Sequence, residues 1–146
     1  MKRTDKRLRL CTALILCNLV FIWGNSLLPG EISGAVSDWV KDILSGLFDS
    51  TGEDSAGGFL IRKLAHFTEF ACLGGLLLWY FGMLGKPKKQ AFLLGAGAAC
   101  VDETIQVFVP ERGPGIRDVC IDCAGVAAGM ILVYFGHTYL KRKHRF

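Results

Sequence analysis

A chain of 146 residues has room for one domain around one core, and separate cofactor and substrate lobes do not fit in it. Hydrophobic residues make up 51% against 21% charged, with a net charge of +4 and a mean hydropathy of +0.38, and the charges stand in blocks between long uncharged runs. Such runs exclude a disordered chain, and 18 Gly and 4 Pro without a period exclude a collagen-like one, which leaves a membrane protein or an unusually apolar soluble one.

In chain order, residues 10–28 carry no Asp, Glu, Lys or Arg. About 20 apolar residues cross a bilayer core, so the first span is placed there. Lys2, Arg3, Lys6, Arg7 and Arg9 before it resemble the head of a signal peptide, but no A-x-A-like site follows, and a retained anchor is expected. Ile32, Val36, Trp39, Val40, Ile43, Leu44, Leu47 and Phe48 then recur at three- and four-residue steps behind Ser33, a candidate cap. This pattern predicts an amphipathic helix over 33–48, lying on the outer leaflet or packed back over the bundle. The acidic, glycine-containing stretch 49–58 reads as a hinge. Three further spans follow at 62–84, 91–109 and 116–137, interrupted only by a few ionisable groups. The expected fold class is therefore all-α: a polytopic membrane protein of four transmembrane helices plus an outer-leaflet amphipathic helix, in a single domain over 1–146.

Positive residues stay on the cytoplasmic side during insertion. Five Lys and Arg precede the first span, Lys86, Lys88 and Lys89 stand between the second and third, and Lys141, Arg142, Lys143 and Arg145 close the chain. With four spans these blocks share one side, which predicts a cytoplasmic membrane protein with both termini in the cytoplasm. The basic balance then reports topology and anionic-lipid contact, and nucleic acid is not an expected partner.

Chemistry is expected where ionisable groups enter the spans, because a charge there costs at least a few kcal/mol. At ~1.5 Å of rise per residue, His66, Glu69, Asp102 and Asp122 fall roughly 9–13 Å from the outer ends of their helices, in one layer. Arg62, His66 and Glu69 follow i, i+4, i+7; Asp102 and Gln106 follow i, i+4, as do Asp118 and Asp122, whose stripe continues through Gly125 and Gly129. Gly125, Gly129, Gly95, Ala98 and Ala99 would let the backbones approach closely around that layer. The predicted geometry is a polar pocket open to the outer leaflet, ringed by Arg62, Lys63, Arg112 and Arg117. Glu103, one helical step from Asp102, is placed to reach Lys63.

Several simpler readings bear on these residues. His66 on a polar stripe most often just hydrogen-bonds a carboxylate, and arginines can pair with Asp102 and Asp122 to lock the bundle. His66, Glu69, Asp102 and Asp122 are numerous enough to ligate zinc, but neither a metal nor another cofactor is expected. Cys11, Cys17, Cys72 and Cys100 lie among apolar residues, and Cys120-x-x-Cys123 has no second pair, so the thiols count as small hydrophobes. No P-loop, Gly-x-Ser-x-Gly elbow or His-Glu-x-x-His occurs.

Three ordered motifs carry a resemblance: Arg62-Lys63-x-x-His66-Phe67-x-Glu69, then Asp102-Glu103-x-x-Gln106-x-Phe108-x-Pro110-x-Arg112, then Arg117-Asp118-x-x-x-Asp122-x-x-Gly125-x-x-x-Gly129. Together with Asn25-Ser26-Leu27-Leu28-Pro29-Gly30 they make residues 23–129 similar to the VanZ-like membrane proteins. Thr104-Ile105, where an aromatic residue or His is frequent in that family, and Cys123, in place of a small hydroxyl residue, depart from its pattern. The resemblance implies an integral membrane protein linked to reduced susceptibility to lipid-tailed glycopeptides of the teicoplanin type, and it supplies no mechanism.

Three functions fit these residues. A protective binder would take a lipid, a lipid-linked cell-wall component or the drug's lipid anchor into a site made of Arg62, Lys63, His66, Glu69, Asp102, Glu103, Gln106, Arg112, Arg117, Asp118 and Asp122, and this is the expected function. An intramembrane hydrolase or transferase would draw its catalytic groups from His66, Glu69, Asp102 and Asp122, with Arg112 stabilising developing negative charge. A proton-coupled carrier would use the intramembrane carboxylates and His66 as a relay, and four spans favour that only in an oligomer.

Overall fold

The structure, a computed structural model, describes residues 2–32, 35, 39, 55–113 and 115–143. Among the described residues, long apolar runs rich in Leu, Ala and Phe, with proline only between them, form four long helices: α1 (Lys2–Ser26), α2 (Ser55–Met83), α3 (Lys88–Val107) and α4 (Ile116–Lys143). The amphipathic helix expected over 33–48 lies outside the described residues, apart from 35 and 39.

The helix ends have local causes. Pro29 disfavours helical geometry in the residue before it, and α1 stops at Ser26. α2 ends in a Schellman turn: Gly85 takes a left-handed φ of 63°, Lys86 N donates to Phe81 O at 2.9 Å and Gly85 N to Gly82 O at 3.2 Å. Pro110 closes α3 early, at Val107 rather than at 109 as the apolar run suggested. At its start, α2 reaches back to Ser55, so residues 55–58 are helical rather than part of a hinge. Once a helix is nucleated each added residue gains a backbone hydrogen bond, which outweighs the modest cost of glycine. α1 and α4 likewise run past the charge-free stretches into their basic ends.

Exposed side chains are as apolar as buried ones. Leu16, Val20 and Phe21 on α1, Leu93 and Leu94 on α3, and Leu132 and Phe135 on α4 all stand on the outer surface. A soluble domain rarely presents such a continuous apolar surface, and a bilayer is the solvent that suits it. Three helical segments, Asp5–Ser26, Leu60–Met83 and Ile116–Lys141, are long and apolar enough to cross a membrane. α3 is shorter and carries Lys88, Lys89, Asp102 and Glu103, which keeps it outside that group.

Helix packing is closest between α2 and α4. A Cβ on Gly125 would collide with the carbonyl oxygen of Phe67, one on Gly129 with that of Ala71, and one on Gly74 with that of Val126. These three glycines therefore set the distance between the two backbones. Gly95 on α3 admits the side chain of Val126 in the same way. Cys11, Ile15, Ile22, Phe70, Leu73, Leu77, Ala91, Ala99 and Val126 fill the remaining core.

Candidate functional site

Buried polar residues collect at the other end of this core: Ser26, Asp102, Glu103, Gln106 and Asp122 are all less than a tenth exposed. Their placement follows from the helix faces. Ala91, Gly95, Ala99, Asp102 and Gln106 share the buried stripe of α3, while Asp122, Gly125 and Gly129 share that of α4. The glycine contacts that draw α4 onto α2 bring Asp122 to His66.

His66 Nδ1 lies 3.8 Å from Asp102 Oδ2 and 3.9 Å from Asp122 Oδ1. Three helices thus meet at one imidazole and two carboxylates, at separations beyond hydrogen-bonding range. Gln106 Nε2 donates to Asp102 Oδ2 at 2.9 Å and to Ser26 Oγ at 3.4 Å. Asn25 Nδ2 donates to Glu69 Oε1 at 2.9 Å. The end of α1 is therefore a fourth wall, which the reading of three polar stripes did not include. Asn25 and Ser26 are themselves the signal that points to it, polar side chains closing an otherwise apolar span.

A cavity of about 240 Å³ opens beside His66, lined also by Arg62, Lys63, Gln106, Glu111, Arg112 and Gly113. Arg112 is tied to α1, donating from Nε to Leu28 O at 3.1 Å and from Nη2 to Asn25 O at 2.9 Å. Gly30 N donates to Pro110 O at 3.3 Å, and a side chain on Gly30 would strike Glu111, whose left-handed φ of 61° turns the 108–113 loop over the cavity. Burial and then the neighbouring Arg62 pull the Arg112 pKa below its usual value, so an anion beside that guanidinium would favour its charged form.

The remaining expected site residues divide. Lys63 pairs with Asp118, and Glu103 Oε2 accepts from Gly115 N at 2.9 Å, anchoring the loop before α4. Glu69 is half-buried beside Asn25, with Oε2 unpartnered. Arg117 is exposed and absent from the cavity lining, where the described cations are Arg62, Lys63 and Arg112. Among the described residues no arginine forms an ion pair with Asp102 or Asp122.

The family model described as VanZ/LLP1 matches residues 10–137. No curated protein matches the chain, and no solved structure does.

Proposed function

The chain belongs to the VanZ/LLP1 family, and from that premise we propose that it binds the anionic head group of a membrane amphiphile in the cavity between Arg62, Lys63 and Arg112. The observation that carries this reading is the cavity itself: among the described residues its lining brings the cations Arg62, Lys63 and Arg112 against the acid Glu111, beside buried polar side chains. Its volume lies below the roughly 300–1,000 Å³ of drug-sized sites, which suits a head group whose tails remain among the lipids. In this reading α3 is a fourth span, both termini are cytoplasmic by their Lys and Arg, and the cavity faces the outer leaflet. The ligand is a phospholipid, a lipid-linked cell-wall component or the lipid anchor of a glycopeptide, and the expected phenotype is reduced susceptibility to teicoplanin-type drugs.

Growth inhibition by lipid-tailed and tail-less glycopeptides, in a host expressing the chain or its Arg112→Ala variant at matched membrane abundance, tests the phenotype. Protection against only the tailed drug, lost in the variant, is expected. Retention of anionic over zwitterionic lipid by the purified protein, read by native mass spectrometry, tests the binding directly. Equal retention of both lipids would overturn it.

The approach of His66 to Asp102 and Asp122 favours a second reading, an intramembrane hydrolase or transferase in which a carboxylate activates water. In that case Asp102→Asn abolishes turnover while head-group binding persists.

A further inference from the structure

The floor of the cavity has a chemistry of its own. His66, Asp102 and Asp122 each offer one donor atom, and the three atoms all lie within 4.8 Å of one another. They come from three different helices, so the bundle itself assembles the set. Asp102 and Asp122 are 0% and 1% exposed, and Asp102 Oδ1 and Asp122 Oδ2 have no hydrogen-bond partner. A buried carboxylate oxygen without a partner is costly, and one stands on each of the two carboxylates that approach His66. Lys63 pairs with Asp118, and Arg112 donates to the carbonyl oxygens of Asn25 and Leu28.

We propose that His66, Asp102 and Asp122 bind one divalent metal ion of the zinc or manganese class, behind the cavity that His66 lines. One imidazole nitrogen with two carboxylate oxygens is a mixed N/O donor set of the kind these ions accept. Ligands about 2.1 Å from an ion sit roughly 3–3.5 Å apart, so the present separations close by small side-chain adjustments. Gln106 holds Asp102 Oδ2, the oxygen that approaches His66, and so fixes the carboxylate while Oδ1 stays without a partner, as neighbouring hydrogen bonds orient a metal ligand. Of the three residues His66 lines the cavity, so an ion held by them would lie next to the place where a phosphate-like head group would sit. The inference concerns the site proposed above to hold the head group and stands without that reading.

The test is metal uptake by the full-length protein in detergent. Cys17, Cys72, Cys100 and Cys120 are exposed and would capture zinc, so thiols are alkylated first. The protein is then dialysed against equimolar Zn²⁺ and Mn²⁺, freed of excess, and its metal content is measured. About one equivalent per chain is expected, falling at least about tenfold in His66→Ala and in Asp122→Asn. Wild-type protein that retains almost no metal overturns the proposal, as does equal uptake by both variants. A second measurement needs no variant: the thermal midpoint of chelator-stripped wild type must rise on reloading, and an unmoved midpoint overturns the proposal. Arg112→Ala separates the two readings, since it should keep its metal and lose preference for anionic lipid. Metal loss in wild type with lipid preference intact sinks only the metal site, whereas intact metal uptake with no lipid preference sinks only the head-group reading.

Discussion

The two ends of the bundle solve opposite problems. Around Phe70, Leu73, Leu77 and Ala91 the helices meet through closely packed apolar side chains. Around His66 they meet through Ser26, Asp102, Gln106 and Asp122, with one carboxylate oxygen each of Glu69, Asp102 and Asp122 left unpartnered. In a bilayer apolar contact gains little over contact with lipid tails, so the first end is held by close van der Waals fit and the second by a small number of hydrogen bonds. The difference separates what holds the fold from what the fold holds. Substitutions at the packed end should cost stability, and substitutions at the polar end should cost function.

The largest effect is expected at Gly129. A Cβ there has no space against the carbonyl oxygen of Ala71, so Gly129→Val should forfeit more than about 4 kcal/mol and leave no monodisperse protein on size-exclusion chromatography. A well-folded variant would mean that α2 and α4 are held apart by something other than their glycines. Phe70→Ala comes next. Its side chain is fully buried, and the cavity left behind should cost about 3 kcal/mol, read as a lower thermal midpoint with metal uptake retained.

Much of this division is legible in the chain itself. The charge-free runs locate the helices, and His66, Asp102 and Asp122 stand out because charges within apolar segments are expensive. Gly125 and Gly129 extend the Asp122 stripe at helical spacing, which is why their role in packing can be read without coordinates. Gly74, in contrast, sits inside Leu73-Gly74-Gly75-Leu76 with no polar neighbour to mark its face. Its charge alone places Arg117 on the rim, but one residue of helix turns the side chain by about 100°, so Asp118 meets Lys63 while Arg117 stays exposed. The contribution of α1 escapes a reading by stripes because Asn25 and Ser26 are neighbours at a helix end, where they form no period.

Arg112 belongs to both ends of the argument. Its guanidinium holds the 108–113 loop to the carbonyls of Asn25 and Leu28 while lining the cavity. Arg112→Ala should therefore cost about 2 kcal/mol of stability, and anionic-lipid retention should fall with it. Arg112→Lys separates these roles, since it restores the charge without the planar two-point contact. Lipid preference that returns with lysine while the thermal midpoint stays low would show that charge serves the ligand and geometry serves the loop.

The smallest stability effect, and the most discriminating, is expected at Asp102→Asn. Asparagine keeps an acceptor for Gln106 and removes a buried negative charge, and eliminating such a charge is neutral or favourable unless a partner cation is lost with it. In chelator-treated protein the thermal stability of Asp102→Asn should stay within about 1 kcal/mol of wild type, while metal uptake and protection are lost. A steep fall in the chelated state would make Asp102 a structural residue of the bundle, and the polar end would then hold the fold as much as the packed end does. Equal midpoints under chelation, separating only when metal is added, would place the stabilising role of that carboxylate in the ion it holds.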